Sequence, residues 1–190
     1  EEYYGWRDYN MCNAGPCQFD VSWSLCCRNS IITSGAANQN TYLTATYNNA
    51  ISTCNSTPYF TNRPVPYICT GDTFIFNQGA VDPDGDALTY RFGSCWQQLN
   101  QSVGYNTGYS QTAPLGSTWD VSIDSQTGDI TIIPQPGNAV IGVMCVYVDE
   151  WRNGQIINTI ERDIQVAAIA CPPNDPPPVA GVSSVNGAFV

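Results

Sequence analysis

The chain has 190 residues, enough for one large β domain or two small ones. Its 16 acidic residues face six Arg, with no Lys and no His, which gives a formal net charge of -10. Nucleic acids and anionic membrane surfaces attract basic patches, so neither is an expected partner, whereas divalent cations are natural counterions. No run of about 18 apolar residues predicts a membrane span.

Cysteine is abundant for a chain of this length. Neither a Cys-x-x-Cys pair nor a His is present, so the usual zinc spacings are absent, and disulfides in an oxidising, extracellular setting are the better interpretation. Because the number is odd, one cysteine is free, pairs with another chain, or has lost its partner to truncation. The nine disulfide candidates are Cys12, Cys17, Cys26, Cys27, Cys54, Cys69, Cys95, Cys145 and Cys171.

Residues 1–62 form the first predicted β unit. An aromatic lead-in, in which Cys12 and Cys17 are near enough to close a small loop, precedes strands predicted over 19–25 and 41–47. Cys26 and Cys27 follow the first strand, and neighbouring strand residues face opposite sides, so they should bond different partners. Asn55 begins a glycosylation sequon and Asn100, further on, begins another, which matter only if the source cell glycosylates Asn.

Residues 63–171 form the second predicted unit. An extended connector at 62–66, which holds two prolines, marks the boundary between the two units. A Gly-, Asn-, Gln- and Ser-rich passage over 93–116 is too long for a tight turn and is a candidate binding surface. Short strands with regular turn signals and no helical period indicate an all-β chain of two antiparallel sandwich units. The predicted strands are 67–69, 73–76, 88–92, 119–123, 130–133, 139–148 and 155–169.

Arg162 falls among the apolar positions of the strand predicted over 155–169. An unpaired buried guanidinium is prohibitively costly, so we expect a carboxylate partner with a structural role.

The C-terminal tail differs in composition. Residues 172–178 are a stiff, Pro-rich linker of polyproline type. Beyond it, residues 179–190 are predicted to form a lone strand. A strand placed beyond a proline hinge cannot easily fold back, so we expect it to complete a neighbouring module by edge pairing.

An acidic motif dominates the centre of the chain. Asp82, Asp84 and Asp86 alternate with Pro83 and Gly85 before a predicted strand. Hard oxygen ligands at this density suit Ca²⁺, although the Gly and Glu positions of an EF-hand loop are not met. The alternative is a solvated acidic turn, because Asp, Pro and Gly are ordinary turn formers.

Catalysis has little support in the sequence. Without His, no Ser-His or Cys-His triad is possible, and no Gly-rich phosphate loop is found. A glycosidase that uses two acids, such as Glu150 and Glu161, is the one enzyme class to weigh, and we expect a protein that is not an enzyme.

Several motifs resemble known families. The acidic motif with Leu88-Thr89-Tyr90, followed by residues 123–130, looks like bacterial cadherin-like modules, which are calcium-dependent β-sandwiches. A closer likeness over about 19–171 is to modules of Bacteroidota cell-surface and gliding-adhesin-type proteins. The motifs that carry this likeness, in order, are Trp23-Ser-Leu-Cys-Cys-Arg-Asn29, Asn55-Ser-Thr-Pro-Tyr-Phe60, Pro66-Tyr-Ile-Cys69, the acidic motif, Gly108-Tyr-Ser110, Glu150-Trp-Arg-Asn-Gly154 and Arg162-Asp-Ile-Gln-Val166.

The resemblance implies a non-catalytic, extracellular structural module of a cell-surface fibre or adhesin, stiffened by calcium. Acids from a neighbouring loop complete the ion's shell in cadherin-like sites, so Asp149 and Glu150 join the three aspartates as candidate ligands. Such modules have further strands before the Cys-Cys-Arg-Asn element. We therefore expect residues 179–190 of one subunit to insert into residues 1–62 of the next.

The alternative is a carbohydrate- or surface-binding adhesion module. Four aromatic residues near the long 93–116 passage are its candidate stacking residues: Trp96, Tyr105, Tyr109 and Trp119. Exposed rings there favour glycan binding, and buried rings favour a purely structural role.

Overall fold

The computed structural model describes residues 18–52, 54–64, 67–133, 135 and 139–171, and the backbone of 184–185 and 188–189. All the regular secondary structure among these residues is β-strand, so the prediction of an all-β chain is confirmed. The strands are β1 (Gln18–Leu25), β2 (Thr41–Asn48), β3 (Tyr59–Phe60), β4 (Tyr67–Cys69), β5 (Phe74–Asn77), β6 (Ala80–Val81), β7 (Ala87–Gly93), β8 (Trp96–Gln98), β9 (Gln101–Ser102), β10 (Asp120–Ile123), β11 (Asp129–Ile133), β12 (Val140–Arg152), β13 (Gln155–Ile169), β14 (Ser184–Val185) and β15 (Ala188–Phe189). The described part of the chain contains no helix of the length and apolarity that a membrane crossing requires.

The long hairpin of β12 and β13 is the centre of the main sheet. Its strands run in the order β7-β12-β13-β2-β8-β9, with β1 added on β2 and β4 added parallel to β13. Asn153 and Gly154 connect the hairpin with φ of 54° and 75°. An Asn-Gly pair with two positive φ angles is the favoured two-residue hairpin turn, because it follows the right-handed twist of the strands.

A second sheet, β10-β11-β5, lies against one face of the main sheet. Apolar side chains of both sheets meet in what we call the inner core, so the arrangement is sandwich-like. Its buried members are Ile68, Tyr90, Leu115, Trp119, Ile130, Ile132, Val140, Met144, Val146, Val148, Ile160, Ile164, Val166 and Ala168.

Strand β12 is buried on both faces. Val146 and Val148 point to the inner core, while Cys145 and Tyr147, which alternate with them, point to an outer core on the opposite face. The outer core consists of Ile32, Ala36, Cys95, Val103, Val143, Cys145 and Tyr147. Burial on both faces explains why 139–148 reads as a continuous apolar run rather than an alternating one.

The 93–116 passage, in which no strand was predicted, contains β8 and β9 and contributes to the outer core. Cys95, fully buried, bonds Cys145 of β12, and Val103 packs beside it. These contacts attach the passage to the main sheet along part of its length.

The N-terminal hairpin belongs to the main sheet. β2 pairs with β13 through the register Tyr47↔Asn158, and β1 pairs with β2 along all eight of its residues. Strands of both predicted units therefore lie in one sheet. The division at residue 62 and the two-unit sandwich arrangement stay predictions.

Three disulfides form among the described residues. Cys69 bonds Cys171 and Cys95 bonds Cys145, while Cys54 is exposed and free. Cys26 and Cys27 bond each other, so the prediction of different partners is wrong. The reason is that β1 ends at Leu25, and the opposite-face rule holds only within a strand. The loop predicted between Cys12 and Cys17 lies outside the described residues.

Arg162 is half-buried and has no carboxylate partner among the described residues, contrary to expectation. Its Nη1 donates to Gln78 Oε1 and its Nη2 to Asn62 O, both at 2.9 Å. The guanidinium carbon lies 4.5 Å from the centre of the Phe60 ring. Neutral acceptors and a cation–π contact suffice because the side chain keeps some access to water. Burial lowers the pKa of Arg162.

The C-terminal segment differs from the single strand predicted over 179–190. Its described residues form β14 and β15, which pair with each other in an antiparallel hairpin. Asn186-Gly187 separates them in sequence, and this dipeptide favours tight hairpins.

Candidate metal site

The acidic motif forms a compact turn between β6 and β7. Asp82 Oδ1 accepts hydrogen bonds from the backbone N–H of Asp84 at 3.0 Å and of Asp86 at 2.8 Å. Gly85 has a φ of 82°, a conformation that glycine adopts at little cost. The short Asp side chain and the glycine together fold the chain back on itself.

This turn brings three carboxylates together. Asp82, Asp84 and Asp86 each offer an oxygen within 4.8 Å of the other two. Cys95, Cys145 and Asp163 satisfy the same distance, but the two cysteines are disulfide-bonded and Asp163 pairs with Arg28. The aspartate group is therefore the better candidate for a cation.

Arg152 is a member of the site that the sequence prediction omitted. It ends β12 just before the Asn153-Gly154 turn, which places its guanidinium over the acidic turn. Its Nε donates to Asp86 Oδ1 at 2.9 Å, and its Nη2 lies 3.8 Å from Asp84 Oδ2. The hydrogen bond from Arg152 is the largest cause that lowers the pKa of Asp86.

The loop that precedes β3 closes the other side of the site. The backbone N–H of Ser56 donates to Asp84 Oδ2 at 2.6 Å. Arg152 donates to Asn55 Oδ1 at 2.9 Å, to Cys54 O at 3.0 Å and to Ser52 Oγ. One sequon asparagine, Asn55, thus takes part in the site.

Asp149 and Glu150 point to opposite faces of β12. Asp149 pairs with Arg91, with Nε 2.8 Å from Oδ2, and accepts a hydrogen bond from Thr159 at 2.8 Å. The structure therefore does not bring Asp149 to the acidic turn, contrary to expectation. Consecutive strand residues alternate, so only one of two adjacent acids can reach a given side.

Glu150 lies on the face of β12 that the acidic turn adjoins, opposite Leu88 in the sheet register. It is fully buried, and Asn158 Nδ2 donates to its Oε2 at 3.0 Å. Burial is the largest cause that raises the pKa of Glu150, and the carboxylates of Asp82 and Asp86 raise it further. We call Asp82, Asp84, Asp86 and Glu150 the acidic cluster.

Two carboxylate oxygens of the acidic cluster have no hydrogen-bond donor among the described residues. They are Glu150 Oε1 and Asp82 Oδ2, and both atoms are shielded from solvent. A buried carboxylate oxygen without a donor or counterion is costly. Four carboxylates and one guanidinium leave the cluster with a formal excess of negative charge. The oxygens of Asp82, Asp84 and Asp86, which lie within 4.8 Å of one another, fit a hard divalent cation such as Ca²⁺, and Glu150 lies beside them.

The four candidate stacking residues occupy three places. Trp119 is buried in the inner core, Tyr109 packs against that core, and Tyr105 packs against the outer core. Trp96 is half-buried and lines an open cleft on the outer face of the main sheet. Three of the four thus pack against a core, although Tyr109 and Trp119 also line a second open cleft of about 370 Å³. The binding surface predicted over 93–116 stays a prediction.

Glu150 and Glu161 do not form a pair. Glu161 is opposite Tyr147 in the β12–β13 register, and Tyr147 belongs to the outer core. Glu150, three residues further along β12, faces the acidic turn on the other side of the sheet. A two-acid glycosidase centre requires two carboxyl groups that flank one substrate bond, which these two cannot do.

Motifs that are far apart in sequence meet in space. Glu150-Trp-Arg-Asn-Gly154 and Asn55-Ser-Thr-Pro58 supply Arg152 and Asn55 to the acidic cluster. Arg28 of the Cys-Cys-Arg-Asn motif pairs with Asp163 of the Arg162-Asp-Ile-Gln-Val166 motif. The Glu150-Trp-Arg-Asn-Gly154 motif was the one indication in the sequence of a role for Arg152. The motifs alone do not show which carboxylate each arginine contacts.

Comparison of the chain with family models, with curated proteins and with solved structures finds no match.

Proposed function

We propose that the protein is a non-catalytic, extracellular structural module, a subunit of a cell-surface fibre or adhesin, whose β-sandwich is stiffened by Ca²⁺ bound at the acidic cluster. Asp82, Asp84, Asp86 and Glu150 would hold the ion. The disulfides Cys69–Cys171 and Cys95–Cys145 support an oxidising environment, in which such bonds persist.

The observation that carries the calcium proposal is the Glu150 carboxylate. Its side chain is fully buried from water, and its Oε1 accepts no hydrogen bond from the described residues. Burial raises the pKa of Glu150, hydrogen bonds from Asn158 and Asn55 lower it, and Asp82 and Asp86 add a smaller rise. A solvated acidic turn does not by itself explain why a fourth carboxylate is buried beside it. A hard cation would satisfy this oxygen and offset the repulsion among the four acids.

A cation at this place would join parts of the chain that are distant in sequence. The acidic turn follows β6, Glu150 lies near the end of β12, and the loop before β3 contacts Asp84 through the Ser56 N–H. Binding to the folded state alone stabilises it by about 2.7 kcal/mol when the ion is a hundredfold above its dissociation constant. The ion therefore gives rigidity to one end of the sandwich.

Scanning calorimetry of the intact chain in calcium and in chelator tests this proposal. Asp84→Asn is the informative variant, because Asp84 is exposed and the new amide oxygen can still accept from Ser56. We expect a lower Tm than wild type in calcium and little change in chelator. Asp72→Asn, which removes an exposed charge elsewhere, is the matched control and should change neither. Equal losses for Asp84→Asn in both buffers refute a metal role.

We further propose that residues 179–190 of one subunit complete residues 1–62 of the next. Val21 and Leu25 of β1 support this, because both side chains are exposed. They lie on the same face of the sheet as Ala45 of β2, which is opposite Val21 and packs against the inner core. Exposed apolar surface on a strand at the side of a sheet favours strand addition. The hairpin of β14 and β15 would open when the segment is exchanged.

Electron microscopy of the intact chain and of a variant lacking residues 177–190 tests the assembly. Filaments with a subunit-sized repeat are expected for the intact chain, and monomers for the deletion. Filaments that survive the deletion contradict strand exchange. Because the deletion leaves the acidic cluster intact, the Tm of the deletion variant in calcium and in chelator tests calcium binding separately from assembly.

A further inference from the structure

We propose that the outer cleft, an open depression of about 420 Å³ on the face of the main sheet away from β10-β11-β5, binds a neutral glycan. This site lies on the other side of the sheet from the acidic cluster. The volume falls within the range of small-ligand sites, which is about 300–1,000 Å³. A sugar-binding role goes beyond the structural role proposed above.

The floor of the outer cleft comes from alternate residues of β2. Tyr42, Thr44 and Thr46 all line it, because residues two apart on a strand share a face. Asp20 of β1 accepts a hydrogen bond from Thr46 Oγ1 at 2.6 Å, which fixes that hydroxyl. Rigid strands hold these groups in a preformed arrangement.

The Trp96 ring lines the cleft beside the Tyr42 ring of the floor. Trp96 is opposite Tyr42 in the β2–β8 register. The Trp96 Nε1–H donates to the Tyr147 hydroxyl at 2.7 Å, and that hydroxyl donates to Ser94 O at 2.7 Å. The indole is therefore held in one orientation before any ligand arrives. Fixed amphipathic rings suit the C–H faces of a pyranose, at a small entropic cost of binding.

The polar groups around the rings are mostly neutral. Thr44, Thr46, Ser94, Asn100 and Gln111 offer hydroxyl and amide groups, which both donate and accept hydrogen bonds. Sugar hydroxyls have the same double capacity. Ser94 Oγ already donates to Gln111 Oε1, so the Gln111 amide N–H₂ remains to donate to a ligand.

Charge disfavours anionic ligands at the outer cleft. The one cation of the cleft, Arg91, is paired with Asp149 and lies 4.6 Å from the centre of the Tyr147 ring, so it is already compensated. Asp20 and the net charge of -10 repel anions. Beneath the floor, the buried Glu161 carboxylate accepts from Thr44 N and Oγ1, each at 3.3 Å, and adds no positive charge. A neutral, hydroxyl-rich ligand fits best.

Saturation-transfer NMR on the intact chain tests the inference, with cello-, xylo- and manno-oligosaccharides as neutral probes and oligogalacturonides as the anionic probe. We expect transfer to at least one neutral probe and none to the anionic one, both in calcium and in chelator. Titration calorimetry then gives the affinity of the probe that binds. Absence of transfer to every neutral probe, or preference for the anionic probe, overturns the proposal.

Variants place the binding in the outer cleft. Tyr42→Ala and Gln111→Ala should each weaken binding about tenfold. Tyr59→Ala, an exposed tyrosine of β3, is the matched control and should bind as wild type does. Gln111 is exposed, so its variant folds even where Tyr42→Ala does not. Wild-type affinity in Gln111→Ala and in a folded Tyr42→Ala contradicts the site. Calcium-dependent Tm, measured on the same samples, reports separately on the acidic cluster.

Discussion

Two Arg–Asp contacts in this molecule have the same chemistry and opposite settings. In the first, which we call the anchor pair, Arg28 and Asp163 have side chains only 4% and 10% exposed. Arg28 also donates to Asn40 O and Trp96 O, and so ties the segment after β1 to β8 and β13. In the second, Arg152 meets Asp86, with 27% and 11% exposure, among three further carboxylates.

The difference lies in charge balance. The anchor pair joins one cation to one anion, and burial raises the pKa of Asp163 more than Arg28 lowers it. The acidic cluster joins one cation to four anions, and among the described residues two of its buried oxygens lack donors, whereas the unpartnered buried atom of the anchor pair is a donor, Arg28 Nε. A balanced, buried pair organises the fold by itself, whereas an unbalanced one has room for another cation.

The largest expected effect comes from breaking the anchor pair. Arg28→Met leaves Asp163 buried without a counterion and should lower the free energy of unfolding by about 3–5 kcal/mol. Urea unfolding measures the loss, which should be the same in calcium and in chelator. Arg63→Met removes an exposed guanidinium and serves as the control, with a change near zero. A calcium-dependent loss in Arg28→Met would remove the distinction between the two regions.

The next effect is a pH dependence near the anchor pair. Burial, with a smaller contribution from the Asp163 charge, raises the pKa of Glu161 to about 7, from 4.5 in the unfolded chain. The folded state then holds more protons than the unfolded state between these values. Stability from this group is therefore complete below about pH 4.5 and is lost as pH rises to about 7, a change of about 3 kcal/mol.

Glu161→Gln isolates this contribution, because the amide cannot ionise and its oxygen still accepts from Thr44. Urea unfolding in chelator at several pH values between 4.5 and 8 should show a flatter profile than wild type. The difference between the two profiles matters, since other carboxylates titrate as well. Parallel profiles would mean that the buried Glu161 carboxyl keeps an ordinary pKa.

The sequence predicted the elements of this fold better than their partners. The strand predicted over 155–169 has the observed bounds of β13, because alternation and flanking turns are local properties. The pairing of Arg28 with Asp163 spans 135 positions and depends on sheet register, which no local pattern encodes. Cys26 and Cys27 were misjudged because the alternation of side chains was extended past Leu25, the last residue of β1.

The acidic site shows the same limit. The three aspartates were predictable, since the turn that gathers them is formed by adjacent residues. The choice between Asp149 and Glu150 was not, because β12 is apolar on both faces and its alternation gives no sign of which face meets the acidic turn. Arg152 belongs to one of the motifs identified in the sequence, but its contact with Asp86 depends on the position that the Asn153-Gly154 turn gives to the end of β12.

Removing the guanidinium from the acidic cluster should destabilise the protein by an amount that calcium reduces. In chelator, Arg152→Met loses donors to Asp86 and Asn55 and should lower the free energy of unfolding by less than Arg28→Met does, since the side chain is partly exposed. In calcium the deficit should shrink, because four uncompensated carboxylates attract the ion more strongly. Urea unfolding in both buffers, with calorimetric titration of Ca²⁺, measures both quantities. A deficit that calcium leaves unchanged would show that Arg152 and the ion do not share a site.

The smallest change in stability is expected for Glu150→Gln, and its sign should differ between chelator and calcium. In chelator it removes a buried charge and should stabilise the protein by up to about 1 kcal/mol, while Asn158 can still donate to the amide oxygen. In calcium it should lose most of the ion's stabilisation. The matched comparison is Asp163→Asn, which weakens a balanced pair and should destabilise in both buffers. If Glu150→Gln destabilises equally with and without calcium, Glu150 is a closed structural contact like the anchor pair, and the acidic cluster needs no ion.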